Sequence, residues 1–555
     1  MLRYVLRGIV VAGSLATSPA FSQTPNKAFP DDVRFVLKGE ASRGERGGVL
    51  HYSPNGRMLL LQARRGWSLR EPSDGSEIRR LNVVSRDSIF LGWSPDSKYL
   101  AFSDFSRQGG RLVLVDAASG KECWQAEEVF GDEDFFLFTA DSRSVAFIKQ
   151  GYVVQRDTAT GKQLQKFRPE DWGVRAFSHD LRRACSLGRE MIYLWDVESK
   201  KTLWQTPLTT ARVYHTYHSD FRFTPHGSRL IASAVWDGSN REPFGKDGTL
   251  ILDVASGKKV CGVQSASYLI LSPNSRYLLV GENVVQWVDV VSGEVKATFM
   301  AGASSGFFHP RAVFSPDSRL MTYRPTENEV QLFETATAGF IATYRNRGTS
   351  IRHVAFAPDG KTLAICYADS SVVFHDLTGQ GKATASLKRS PEELDRMWAE
   401  LGRGPEPAQR ALWQLVRSPK QAVGLIRTRI PPPQKADPAA MANLIGQLDD
   451  DRFAVRQLAE KKLAELGLRA VPALRAALKK KSSLESQHRM ERLLAALSTL
   501  STKQETRDRR AVAVLESIGD EATALLKEYA DGPEEDPLAF EAREALNRLR
   551  IKRTK

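Results

Sequence analysis

From about residue 31 to residue 381, apolar and polar positions alternate in short runs rich in Val, Leu, Ile, Phe and Tyr, each run bounded by turn residues. A period of two over four to eight residues predicts half-buried strands. The runs are also grouped. The motifs "YSPNGRML", "WSPDSKYL", "FTADSRSV", "FSHDLRRA", "FTPHGSRL", "LSPNSRYL", "FSPDSRLM" and "FAPDGKTL" recur, with second residues at Ser53, Ser94, Thr139, Ser178, Thr224, Ser272, Ser315 and Ala357 and a period of 39 to 48 residues. Proline after the serine presets φ, Asp or Asn takes the third turn position, and Gly or Ser ends the turn. Each motif is therefore expected to be a tight hairpin joining the first two strands of a repeated unit.

A second signature follows 15 to 30 residues later in most units, as "LVLVDAASGK", "VVQRDTATGK", "IYLWDVESKK", "LILDVASGKK", "QWVDVVSGEV", "QLFETATAGF" and "VVFHDLTGQG". It is a strand ending in an acidic residue and a Ser/Thr/Gly turn. The carboxylate can accept backbone N–H bonds there, and glycine supplies a positive φ. Each unit thus reads as a four-stranded meander, a-b-c-d. Such units resemble the blades of WD40-repeat β-propellers, whose third strand ends in a Trp-Asp-like pair. The full pair occurs once, as Trp195-Asp196, and elsewhere becomes Val115-Asp116, Arg156-Asp157, Leu252-Asp253, Val288-Asp289, Phe333-Glu334 and His375-Asp376. The Gly-His that often opens a blade is absent. The expected fold over residues 31–381 is an all-β propeller of eight blades, with seven as the alternative. "VRFVL", Val33 to Leu37, is expected to close the ring as the outer strand of the last blade, with "KATASL", Lys382 to Leu387, as the other candidate.

After Gly381 the period changes to that of a helix. "SPEELDRMWAELG" offers Ser390 as N-cap, Pro391 at the first helical position and Glu393 for a capping box, with Leu394, Trp398 and Leu401 on one face. Two more helices are predicted up to Arg429, and "RIPPPQKADP" makes a stiff break, so residues 382–436 read as a helical connector. Residues 437–555 read as an all-α tail. Its stretch "DDDRFAVRQLAEKKLAELGLRAVPALRAAL" resembles a HEAT-type helical repeat, with a weaker copy at Arg509 to Tyr529. The whole arrangement is similar to exported bacterial WD40-repeat proteins.

Composition adds limits. At 555 residues with 42% hydrophobic content the chain has ample material for two cores. The net charge of +14 comes from cations interspersed with acids, which points to solubility more than to a polyanionic partner. Arg3 and Arg7 precede an apolar run from Gly8 to Ala16, and Ala20 and Ser22 flank a cleavage position before Gln23. Residues 1–22 therefore read as a signal peptide, which implies a periplasmic or extracellular location and no membrane span after cleavage. Cys123, Cys185, Cys261 and Cys366 have no metal-knuckle spacing and are expected to be buried thiols acting as small hydrophobes.

Phosphate-loop, nucleophile-elbow and zinc-pair motifs are all missing, so no catalytic, cofactor or metal residue is assigned. Lys479 to Lys481 with Arg475 read as a solvated helix end, not a nucleic-acid contact. "VYHTYHSD", Val213 to Asp220, brings His215 and His218 close to Asp220, but His226 falls in a hairpin predicted to lie on the opposite face. The pair is expected in a loop between the fourth and fifth blades. Trp236 and Phe244 are expected in an insertion between the second and third strands of the fifth blade. His215, His218, Trp236 and Phe244 are accordingly the candidate protein-binding surface. The function expected is a non-enzymatic protein-interaction scaffold with one or more protein partners. Alternatives are a hydrolase, a quinone- or metal-dependent enzyme or a ligand binder of the propeller channel, or a cell-wall glycan-binding module.

Overall fold

The computed structural model describes residues 33–554 apart from 39–47, 105–109, 128–135, 150–151, 168–173, 179, 189–190, 208–215, 225–226, 237–247, 264–268, 282–283, 291–294, 301–311, 347, 380–386, 433–437, 467–469, 479–482 and 534–535. The signal-peptide reading, His215, His226, Phe244 and the lysine run lie outside the described residues.

The strands form eight separate four-stranded antiparallel sheets. Blade 1 is β2–β5 (Val49–Leu81), blade 2 β6–β9 (Ile89–Ala126), blade 3 β10–β13 (Phe136–Phe167) and blade 4 β14–β17 (Val174–Pro207). Blade 5 is β18–β21 (Thr216–Val263), blade 6 β22–β25 (Leu269–Met300) and blade 7 β26–β29 (Ala312–Arg345). Blade 8 is β30–β32 (Ile351–Asp376), completed by β1 (Val33–Leu37) in the order β1-β32-β31-β30. The protein is thus an eight-bladed propeller, not a seven-bladed one, and Val33–Leu37 is the closing strand. Phe35 stacks on Phe374 with ring centroids 4.1 Å apart, and Arg34 pairs with Asp376 at 2.9 Å. The first strand of blade 1 also packs beside that of blade 8, β2 against β30.

The repeated Ser or Thr explains why the hairpins recur. Its hydroxyl accepts the backbone N–H five residues on, from Met58, Tyr99, Ser144, Arg183, Arg229, Tyr277 and Leu320 in blades 1 to 7. In blades 1 to 4, 6 and 7 it also donates to the Asp or Asn two residues on, as Ser94 does to Asp96 at 2.7 Å. Turns are then tied from blade to blade. The amides of Asn55, Asp96 and Asn274 donate to Ser97, Ser142 and Ser318 of the next blade at 3.1, 3.0 and 2.9 Å. Those serines sit at φ 64, 61 and 60, a conformation glycine adopts at lower cost, and the hydroxyl that glycine lacks is what bridges the blades.

The second signature behaves alike: Asp116, Asp157, Asp196 and Asp253 each accept both the N–H and the hydroxyl of the residue three on, Ser119, Thr160, Ser199 and Ser256. Hydroxyl and amide donors hold the Asp157 carboxyl below its usual range. Trp124 and Trp204, on fourth strands, reach the following blade and donate to Thr158 O and Val254 O at 2.8 and 2.7 Å.

Of the four cysteines, Cys185 and Cys366 are buried as expected, but Cys261 is half-buried and Cys123 is exposed. Cys123 lies on β9, the outermost strand of blade 2, where alternate side chains face solvent.

The helical region comprises α1 (Pro391–Leu401), α2 (Pro405–Val416), α3 (Pro419–Arg429), α4 (Pro438–Gln447), α5 (Phe453–Leu466), α6 (Val471–Leu478), α7 (Leu484–Ile518), α8 (Thr523–Ala530) and α9 (Pro537–Thr554). Ser390 and Glu393 form the capping box at α1, with Pro391 inside it. One core joins Met397, Trp398, Leu412, Trp413 and Ile426 to Val512, Leu515, Leu526, Tyr529 and Ala542. It therefore draws on both sides of the Pro-rich break. A second core links Met441, Leu463, Leu474 and Met490. The helix α7 runs through both because its 35 residues contain neither glycine nor proline before Gly519, at φ 84. The stretch Arg509 to Tyr529 is thus the end of α7, a short turn and α8, and no helix begins at Arg509.

Candidate functional site: the turn face of the propeller

In an antiparallel meander the a-b and c-d turns lie at the same end of the blade. The a-b turn residue after the Asp or Asn is followed by a cation in seven copies: Arg57, Lys98, Arg143, Arg182, Arg276, Arg319 and Lys361. Blade 5 carries Ser228 instead.

The helical region sits on this face over blades 6 to 8. Arg276 of blade 6 lies 3.2 Å from Asp289, 3.6 Å from Glu541 of α9 and 3.8 Å from Glu505 of α7. Arg509 of α7 donates to the Tyr277 hydroxyl at 3.2 Å, and that phenol is pushed up to about 12 by burial. Arg319 of blade 7 pairs with Glu516, which also accepts from Arg548 of α9 at 3.1 and 2.9 Å. Glu516 is only 3% exposed, so two guanidinium groups are what keep its charge tolerable. Lys361 of blade 8 lies 5.8 Å from the Trp413 ring centroid.

The centre of the contact is Arg510. Its guanidinium donates to both Glu334 oxygens at 2.6 Å and to the carbonyls of Leu401 and Arg403 at 2.7 Å each. It thereby ties the c-d turn of blade 7 to the corner between α1 and α2. Glu334 stands where blades 2 to 5 have aspartate. An Asp there turns back into its own loop. The longer glutamate keeps only the Thr337 hydroxyl, at 2.6 Å, and presents both oxygens outward. Blade 7 also has Gly339 where blades 2 to 5 have Lys121, Lys162, Lys201 and Lys258. A Cβ on Gly339 would lie 2.3 Å from Pro405 Cγ, so only glycine lets α2 approach. A space of about 290 Å³ remains between blades 7 and 8 and the helices, lined by Asp317, Lys361, Trp413 and Glu516 among others.

The sequence-predicted surface is placed only in part. His218 lies within β18 (Thr216–Phe223), not in a loop as expected, and pairs with Val235. Trp236 is the last residue of β19 (Arg229–Trp236), opposite Thr216, so the insertion begins after it. The strand β18 begins five residues before Phe221, and β19 runs through Trp236, because pairing between the two keeps both extended past the apolar alternation. His218 and Trp236 thus lie near the same end of adjacent strands, while His215 and Phe244 are not described. Asp220 is engaged with Arg222 at 3.0 Å and accepts the Leu269 N–H of blade 6 at 3.4 Å. Among the described residues no three His, Cys, Asp or Glu side chains form a metal-holding group, and no helix is long and apolar enough to cross a membrane.

No family model and no curated protein matches the chain. Among solved structures it is similar to the β-propeller domain of Myceliophteria thermophila Cps50 (Swd1), at 13% identity and TM-score 0.35 over 52% of this chain and 96% of that one. It is also similar to a structure described as the eukaryotic initiation factor, at 15% identity and TM-score 0.42 over 59% of this chain and 82% of that one. A third is the Dos1 propeller, at 15% identity and TM-score 0.44 over 62% and 95%. These likenesses concern the propeller fold alone.

Proposed function

We propose that this chain is an exported, non-enzymatic scaffold on which a rigid propeller holds protein partners. One observation carries the reading: blades 6 and 7 of the turn face already hold helices through ion pairs, and blade 8 through Lys361 beside the Trp413 ring. A surface that docks one set of helices has the chemistry to dock others, and rigid blades keep the docking residues in place. Export rests on the Arg3 to Ser22 segment, and the helical tail is read as HEAT-like from its sequence. The edge read from the sequence at His215, His218, Trp236 and Phe244 is a second contact region, and its His218 and Trp236 lie at the strand ends away from the a-b turn. Site-specific photocrosslinking in intact cells, followed by fractionation and N-terminal sequencing, tests the proposal. The expected result is discrete protein adducts on a chain that begins near Gln23 in the exported fraction. Turnover of a small substrate by purified protein with no adduct from either face would overturn it.

A further inference from the structure

The turn cations fall into two groups. Arg276 and Arg319 keep 16% and 24% of their side-chain surface, because helices cover them, whereas Lys98 keeps 71%. Arg57, Arg143 and Arg182 are likewise exposed. Among the described residues, blades 1 to 4 therefore present an uncovered arc built like the covered one: a turn hydroxyl, an Asp or Asn turned into its own loop, and a cation two residues after it.

How the covered arc is used shows what fits the open one. Arg276 and Arg319 are met by glutamates on helices, Glu505 and Glu516 of α7 and Glu541 of α9. The local carboxylates do not prevent this. Asp317 stands 3.7 Å from Arg319 and Arg319 still pairs with Glu516. In the open arc Asp141 has the same engagement, with the Thr139 hydroxyl and the Arg143 amide holding its carboxyl below the usual range, so its charge is directed into the turn. Lys121 and Lys162 of the c-d turns add exposed cations at the outer side of the arc. Those positions carry the lysine that blade 7 replaces by Gly339 to admit α2, so a helix docked over blades 2 and 3 must answer it with acid instead of passing close to the backbone.

We infer that the turn face of blades 1 to 4 is a docking site for an acidic helix of a partner protein, with Arg57, Lys98, Arg143 and Arg182 receiving glutamates or aspartates spaced along it. The inference rests on the scaffold reading and names the partner chemistry for one arc of it. Exposed pairs of this kind contribute little singly and act mainly on encounter rate and selection of partner, so a row of them is what gives specificity.

The test places a photocrosslinking residue at Lys98 or at Arg143 in the full chain, and another at Trp236 as the reference on the opposite face. Adducts are mapped by mass spectrometry in intact cells. The expected result is adducts from the arc to a Glu- or Asp-rich helical segment of another protein. They fall at least tenfold in the background of Arg57→Glu with Arg182→Glu, and fall less with Arg57→Gln and Arg182→Gln, while the melting temperature is unchanged. Adducts at Trp236 but none from the arc would overturn this inference and leave the scaffold reading standing; adducts from neither position would overturn both. Arc adducts to a basic or apolar segment, to a glycan or nucleic acid, or to a second copy of this chain, or adducts indifferent to charge reversal, would also overturn it.

Discussion

Replacing Arg510 by alanine isolates the joint between propeller and helices. Arg510 is 5% exposed and makes four guanidinium hydrogen bonds, two to Glu334 and two to the carbonyls of Leu401 and Arg403. Alanine leaves a largely buried carboxylate with only the Thr337 hydroxyl, and two carbonyls without this donor. Breaking one side of such a pair costs about 3 to 5 kcal/mol, most of it the penalty on the abandoned charge. Replacing Arg510 by Met together with Glu334 by Leu removes both charges, so it should cost less than Arg510→Ala despite removing more polar groups. In urea, with a slope of about 1 to 3 kcal/mol/M, the single variant should move the helical transition, followed by circular dichroism at 222 nm, by at least ~1 M. Hydrogen exchange should also quicken in α1 and α2 while blade 3 is unchanged. A single variant that unfolds at the parent midpoint, or a double variant worse than the single, would refute the claim that this ion pair joins the two regions.

The remaining predictions concern closure, blade coupling and pH. Deleting Val33 to Leu37 removes the Phe35–Phe374 stack and the Arg34–Asp376 pair and should lower the melting temperature by several degrees; an unchanged melt would show that the ring closes without this strand. Ser142→Ala keeps the strained φ of 61 but loses the bond from the Asp96 amide, whereas Ser142→Gly loses the bond and relieves the strain. The alanine variant should therefore be less stable by about 0.5 to 1 kcal/mol, and the opposite order in calorimetry would contradict the argument. Burial pushes Asp508 of α7 up to about 7, with Glu505 and Asp536 reinforcing it against Arg507. The folded protein then binds the extra proton between its ordinary value of 3.8 and about 7, so stability falls as pH rises through that window. Asp508→Asn should be the more stable protein at pH 8 and lose that advantage below about pH 4; an advantage that persists at pH 3 would mean that ionisation is not the cause.

The propeller was legible in the sequence because the residues that build a blade are local. Ser94, Asp96 and Tyr99 satisfy one another within six positions, and the pattern repeats often enough to give the number of blades. Even the closing strand could be read, since an unpaired strand before blade 1 has one open edge to join. The docking of the helices could not be read that way. Arg510 and Glu334 are 176 positions apart, and neither residue type is unusual in its own segment. A signal was nevertheless present. Blade 7 departs from the repeat at two positions, Glu334 for aspartate and Gly339 for lysine, and both departures are contacts with α7 or α2. In the repeat the first looks like decay of the Trp-Asp-like pair, yet in blade 7 both residues meet the helices. The assignment of the His215 to Phe244 edge rested on residue type in loops, and two of its four residues prove to be strand residues, His218 and Trp236.

A turn that both builds a blade and offers a charge can serve two purposes without conflict, because the two uses employ different atoms. The hydroxyl and carboxylate close the hairpin, while the cation at the end of the turn can stay in water or meet a partner. Water is nearly as good for an exposed guanidinium as a carboxylate is, so an unfilled position costs the fold little. That is why blades 1 to 4 can carry uncovered cations in a ring whose blades 6 to 8 use theirs. Blade 5 separates the two arcs, since its turn carries Ser228 in place of the cation. A helix spanning the face from blade 4 to blade 6 would meet there Arg229, already paired with Asp253, and the exposed Lys258, but no cation at the a-b turn position. The covered cations of blades 6 to 8 and the exposed ones of blades 1 to 4 are thus set apart by the one repeat whose a-b turn lacks the cation.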